Sequence, residues 1–195
     1  MIEVFHGQKF AMNSGLQPVW MFHEEGNFEE GAGIYFADEI SVADGYSDKK
    51  SEHIYKAIID ETKLVNSRGF MDEEIGTDKI HLILKDLHEK DAEPLYYYLT
   101  DYGVELSEPD EVEDYHLEML ADNLGSLEVR NFQIDMSQRF SGVDFVDSWR
   151  KVLPDVIGTV NSDRGFYALL DTDIKVEKVG QKKAQKKEVN RSPKQ

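Results

Sequence analysis

Apolar and polar positions along this chain follow two rhythms. Short apolar runs bounded by glycine, proline or asparagine lie toward both ends, and a longer helical spacing fills the middle. "IEVFH", residues 2–6, reads as a first strand. Residues 8–30 mix glycine, asparagine, proline and charge without a period, so an irregular segment is expected there. Residues 33–37, "GIYFA", read as a second strand. Asp38 then has the short polar side chain of a helix N-cap, and Ile40, Ala43 and Tyr46 or Ser47 follow at helical spacing. "HIYKAIID", residues 53–60, reads as a third strand.

The middle changes character. Residues 72–124 carry helical periodicity, broken at Pro94 and ending at Gly125. Seven acidic residues and no Lys or Arg fall between Glu105 and Glu118, which reads as a solvated helical face. "LEVRNFQI", residues 127–134, reads as a strand, and "FVDSWRKVLPD" as a short helix stopped at Pro154. "VIGTV", "GFYALLD" and "IKVEKV" then read as three closely spaced strands, the first two joined by a turn at residues 161–165.

Composition narrows the class. At 195 residues, with 40% apolar and 11% aromatic content, one domain with a real core is expected. There is no cysteine, which removes disulfides and thiolate chemistry. The first ten residues have neither a basic leader nor a long apolar run, and no stretch approaches the roughly 18 apolar residues of a membrane span. A cytoplasmic protein without a membrane partner is the expectation.

The net charge of −17 is uneven. Residues 182–195 hold six Lys/Arg and one Glu, a contribution of +5, so the rest carries −22. Such a body repels a nucleic-acid backbone, and its acidic middle suits a basic partner. The segment 180–195 reads as a basic disordered tail. His81 and His88, seven residues apart, lack a partner at metal-ligand spacing, so no metal site is expected. Glycine-rich phosphate loops and the common hydrolase motifs are also absent.

Three segments carry the candidate chemistry: "FHG" at 5–7, "GIYFADEISVADGY" at 33–46, and "DRGFYALLDTDIKV" at 163–176. Together they resemble the ADP-ribosyltransferase fold, in the branch related to poly(ADP-ribose) polymerases and diphtheria toxin. The chain is similar in this to small bacterial or phage domains of that kind. The resemblance covers roughly residues 2–65 and 142–178.

It implies an α+β fold, a split antiparallel β core with flanking helices. The acidic helical insertion at about 70–125 would interrupt a domain spanning 1–179. It further implies that NAD is bound as a substrate. His6 would hold a ribose, Gly7 the nicotinamide carboxamide, and Tyr35 and Tyr46 the two faces of the ring. Ala37 would line the same site, and Ala43 would stand where a small residue or serine is usual. Aromatic walls suit the flat cationic nicotinamide, and a glycine lets backbone groups reach its amide. Cleavage of the glycosidic bond builds positive charge on the sugar, so positioning and electrostatics carry the catalysis.

Active members of the branch place a glutamate at the start of the late strand. Here that position is Phe166. Three alternatives follow. Asp163, in the preceding turn, substitutes as the acid in a mono-ADP-ribosyltransferase acting on a macromolecular acceptor, foremost a protein. Or the domain binds NAD, ADP-ribose or a protein without turnover. Or it is an acidic decoy for a basic partner.

Overall fold

The computed structural model describes residues 1–8, 31–47, 53–170 and 174–179. Among the described residues, seven strands and seven helices alternate in blocks. First come β1 (Ile2–Gly7), β2 (Ile34–Ala37), α1 (Ile40–Tyr46), β3 (Ile54–Ile59) and β4 (Leu64–Asn66). A helical block follows: α2 (Met71–Glu74), α3 (Thr77–Lys90), α4 (Glu93–Asp101), α5 (Asp114–Gly125), α6 (Val129–Arg139) and α7 (Gly142–Val152). The chain closes with β5 (Gly158–Asn161), β6 (Phe166–Leu169) and β7 (Val176–Lys178). This is a mixed α+β architecture. No helix among the described residues is long and apolar enough to cross a membrane.

All seven strands join one sheet in the order β4-β5-β6-β2-β1-β3-β7, antiparallel except for the β4/β5 pair. The sheet cannot be flat. β3 and β4 stand five places apart in it, about 24 Å at the usual strand spacing. Only residues 60–63 connect them, a link that spans at most about 18 Å even when extended. That link is also shortened by a 3-10 turn over Glu61–Lys63, capped by the Asp60 carboxylate accepting from Thr62 N–H at 3.2 Å. The sheet therefore curls. Its inner face buries Val4, Ile34, Phe36, Ala57, Ile59, Tyr167 and Leu169 in one cluster that reaches Leu64 on one edge strand and Val176 on the other.

Within this one sheet β1 and β2 form a seam. β1 pairs with β3 at six positions and β2 with β6 at four, but β1 meets β2 in regular register only at Phe5 opposite Ala37.

The helical block leaves and re-enters the chain at one point. Phe70 bridges Glu128, Met71 N–H donates to Leu127 O at 2.9 Å, and Val129 N–H donates to Gly69 O at 2.9 Å. Residues 71–127 thus form a closed excursion from the sheet. Its packing extends further. Ile80, Leu84, Leu95 and Leu120 share one core with Phe132 and Met136 of α6 and with Phe145 and Trp149 of α7.

Four expectations on local structure are corrected. "LEVRNFQI" belongs to a helix, α6, because Val129, Phe132, Gln133 and Met136 bury one helical face at i, i+3, i+4, i+7 spacing. Asp38 does not cap α1. Its N–H donates to Gly165 O at 3.0 Å, which prolongs the β2/β6 ladder, and the helix starts after Glu39 without a side-chain cap. Pro94 does not break α3, which has ended at Lys90. It lies in the first turn of α4, where a missing N–H costs nothing. "HIYKAIIDETKLV", residues 53–65, also reads from sequence as one continuous strand; it is two, since polar Asp60–Lys63 turns the chain and frees Leu64–Asn66 to pair with β5. The segments 9–30 and 180–195, read from sequence as irregular and as a tail, lie outside the described residues.

Candidate functional site

The seam is where the sequence-derived residues gather. Gln8 N–H donates to His53 O at 3.2 Å. Backbone groups alternate sides along an antiparallel strand, so the even-numbered residues of β1 bond to β3. Phe5 and Gly7 therefore turn their N–H and C=O toward β2. Phe5 finds Ala37 there, and beyond it the regular pairing stops. The backbone of Gly7 points into the seam. By the same alternation Tyr35 directs its carbonyl into the seam from the β2 side.

His6 spans the opening. Its Nδ1 donates to Tyr35 O at 2.7 Å, on the seam side of β2. Its Nε2 lies 3.4 Å from the Gln8 side-chain amide, and its ring packs on Phe36 at 5.4 Å between centroids. Burial lowers the imidazole pKa, against the opposing pull of the Tyr35 carbonyl, so the ring is neutral at pH 7. With Nδ1 protonated, the neutral ring has no second proton to give, so the approach of Nε2 to Gln8 Oε1 is no hydrogen bond in this tautomer and Nε2 keeps its lone pair.

Gly7 is fixed by what lies over it. A Cβ here would fall 1.8 Å from the Ala43 carbonyl oxygen, so α1 rests directly on the glycine backbone. Tyr46 lies three residues beyond Ala43, on the same side of that helix, with its ring 63% exposed. Tyr35 is held differently. It is half-buried, and its hydroxyl donates to Gly31 O. Gly33 lies between them at φ +144°, and a Cβ there would meet Leu169 O at 2.7 Å, so only glycine lets β2 close onto β6.

β6 brings the third segment alongside. Phe166 stands directly opposite Ala37, which stands opposite Phe5. The position of the usual glutamate thus lies beside the seam and holds a half-buried phenyl ring, with the Arg164 guanidinium 5.6 Å above it. Asp163 is exposed in the turn before β6. The acid drawn in closest to this end of β6 is Asp38, whose carboxylate lies against the Cα of Gly165. Sequence reading took Asp38 as a cap and as part of the "GIYFADEISVADGY" motif; its pairing with β6 depends on the sheet register.

No protein-family model, curated protein or solved structure matches this chain. The seam must be read from its own geometry. His6, Gly7, Tyr35 and Ala37 share it, Phe166 flanks it, and Tyr46 approaches through α1. Asp163 stays outside.

Two further groups escaped the sequence reading. Gln133 on α6 is fully buried, its side-chain amide has no hydrogen-bond partner among the described residues, and its Oε1 abuts Gly31. His81 meets Asp114 and Glu118 across α3 and α5, with ligand atoms all within 4.8 Å. Those partners lie 33 and 37 residues away, beyond any local motif. Lys85 Nζ already donates to Asp114 at 3.0 Å, beside His81 Nε2 at 3.2 Å, so the group ties the two helices as an ion-pair clamp.

Proposed function

We propose that the seam binds NAD and that the domain transfers one ADP-ribose unit to a macromolecular acceptor with release of nicotinamide. The observation that carries this reading is the backbone of Gly7, turned toward β2 beneath α1 where the regular β1/β2 register has stopped. An N–H and a C=O side by side match the complementary pair of a carboxamide. Tyr35 and Tyr46 supply aromatic faces for the ring, worth about 0.5–2 kcal/mol each. His6 Nε2 accepts from a ribose hydroxyl, and Ala37 keeps the floor low.

In the transfer, the bond between the ribose anomeric carbon and the nicotinamide nitrogen breaks, and its electron pair leaves with neutral nicotinamide. A bond from an acceptor oxygen or nitrogen to the same carbon forms, and the acceptor's proton passes to a base. The domain's part is to hold the donor in line and to exclude water. Phe166 offers no carboxylate to orient the ribose or take that proton, which costs about 10²–10⁴-fold against a positioned acid. Chain elongation therefore does not fit, whereas single transfer to an acceptor that brings its own basic group does.

Phe166 also favours a second reading, in which the seam binds NAD and turns nothing over. One assay separates the two: incubation with NAD and cell lysate, with nicotinamide followed by chromatography. The transferase reading expects release by the wild type and loss of it in His6→Ala. Binding without release by the wild type would leave the non-catalytic module.

A further inference from the structure

Helix α5 has two faces, and the core takes one of them. Leu117, Leu120, Ala121 and Leu124 are buried at i, i+3, i+4, i+7 spacing. Tyr115, Glu118, Met119 and Asp122 repeat that spacing on the exposed side. The solvent face of such a helix is expected to be polar throughout. Here Tyr115 is 57% exposed and Met119, one turn on, 40% exposed. The buried His116 ring lies 3.8 Å from the Tyr115 ring between centroids and steadies it.

The charge around this apolar pair has one sign. Residues 91–129 hold 12 Asp and Glu and no Lys or Arg. Asp114 meets Lys85 of α3 at 3.0 Å, Glu113 caps α5, and Glu111 accepts from Ser107 N–H at 2.6 Å. Glu108, Asp110, Glu118 and Asp122 form no ion pair with Lys or Arg among the described residues. Asp114, Glu118 and Asp122 follow one another at four-residue intervals, a like-charge spacing that opposes the helix. Neither the exposed apolar pair nor the like charges contribute to the packing beneath them.

Elsewhere the molecule shows what such a face holds. The Arg139 guanidinium of α6 lies 3.9 Å from the centre of the Tyr98 ring, while its Nε donates to Asp135 at 2.9 Å. One arginine thus takes an aromatic face and a carboxylate together. Tyr115 and Glu118, three residues apart, offer the same two partners at the surface, and no guanidinium among the described residues lies over Tyr115.

We propose that the outer face of α5 is a docking surface for an arginine-rich segment of another protein. Arginines of the partner stack on Tyr115, cover Met119 with their methylene stems and pair with Glu118 and Asp122. Charge complementarity selects this occupant. Nucleic acids and anionic membranes are repelled, and a second copy of the chain would set like charge against like charge. The proposal does not rest on the NAD reading, and its probe contains no nucleotide.

The test titrates a short fluorescent peptide of alternating arginine and alanine with the full-length protein at low salt, followed by anisotropy. Tyr115→Ser with Met119→Ser removes the apolar pair and keeps every charge. Glu118→Gln with Asp122→Asn removes two charges from the face. Asp147→Asn with Asp155→Asn removes two exposed acids elsewhere and serves as control. All these positions are exposed, and a thermal melt checks that each variant is folded. The wild type is expected to bind saturably, with affinity falling as salt rises. Each of the first two variants is expected to bind about three- to ten-fold more weakly, and the control to stay within about two-fold. No binding by the wild type, or full affinity in the Tyr115→Ser, Met119→Ser variant, would overturn the proposal. Equal weakening in the control would overturn it too, by tracing the attraction to net charge alone. So would binding that appears only in a full-length variant carrying Lys182→Gln, Lys183→Gln, Lys186→Gln and Lys187→Gln, which would assign the face to the chain's own basic segment.

Discussion

At the residue scale, Gly7 and Gln133 make the clearest demands. Gly7→Ala drives a methyl into the Ala43 carbonyl and must lift α1 from β1. The expected outcome is a fall in thermal midpoint together with at least ten-fold weaker NAD binding, read by calorimetry. Gly45, on α1 with Ala43, has nothing within 4 Å of an added Cβ among the described residues. Gly45→Ala is expected to raise stability by about 0.5–1 kcal/mol and to leave NAD binding alone, which separates backbone crowding from helix propensity. Gln133 buries an amide without a partner among the described residues. Gln133→Met is expected to stabilise the fold by about 1 kcal/mol in denaturant titration, since an apolar group of similar size removes an uncompensated desolvation. His6, Gly7, Tyr35 and Phe166 were legible because motif residues on adjacent strands keep their spacing. Asp38 and Gln133 were not, since one depends on register with β6 and the other on a helix that approaches from 100 residues away.

At the element scale, Asp86 ties α3 to α7. Asp86 is 7% exposed, accepts from Ser148 Oγ at 2.6 Å, and pairs with Lys90 at 3.2 Å and with Lys151. Burial pushes its carboxyl up, but the donors Lys151, Ser148 and Lys90 outweigh burial and bring the pKa from 3.8 down to about 2. A depressed carboxyl pKa stabilises the fold above the unfolded value and loses that contribution as pH falls through the folded one. The stabilisation from Asp86 is thus complete above about pH 4 and disappears toward pH 2. Asp86→Asn is expected to cost on the order of 2 kcal/mol at pH 7 and little near pH 2, measured by urea unfolding across that range. The helices themselves were legible where the apolar period ran long, as in α3 and α5. α6 was misread as a strand because an eight-residue window stopped before Met136 completed its buried face. β4 is three residues long and takes its identity from β5, so no local pattern announces it.

At the scale of the whole molecule, two closures define the shape. The sheet curls because four residues must join its first and sixth strands, and the insertion closes on itself at Phe70 and Glu128. Sequence indicated an acidic helical excursion near residues 70–125 from composition and period. Neither signal reveals that its core continues into α6 and α7. Replacing residues 71–127 with a short turn, though its ends meet, is therefore expected to abolish cooperative unfolding by exposing Phe132, Met136, Phe145 and Trp149. Near-ultraviolet circular dichroism and a thermal melt would report it.

The central claim is that the β1/β2 seam is an NAD site with an aromatic wall on α1. Tyr46 tests it most directly, because its ring is exposed and its loss should not disturb the fold. The decisive measurement is a calorimetric titration of NAD into the full-length wild type and Tyr46→Ala. The account predicts saturable binding to the wild type, weakened about 2- to 30-fold in the variant, as one lost stacking contact requires. Equal affinity in both proteins, or no binding to the wild type, would contradict it.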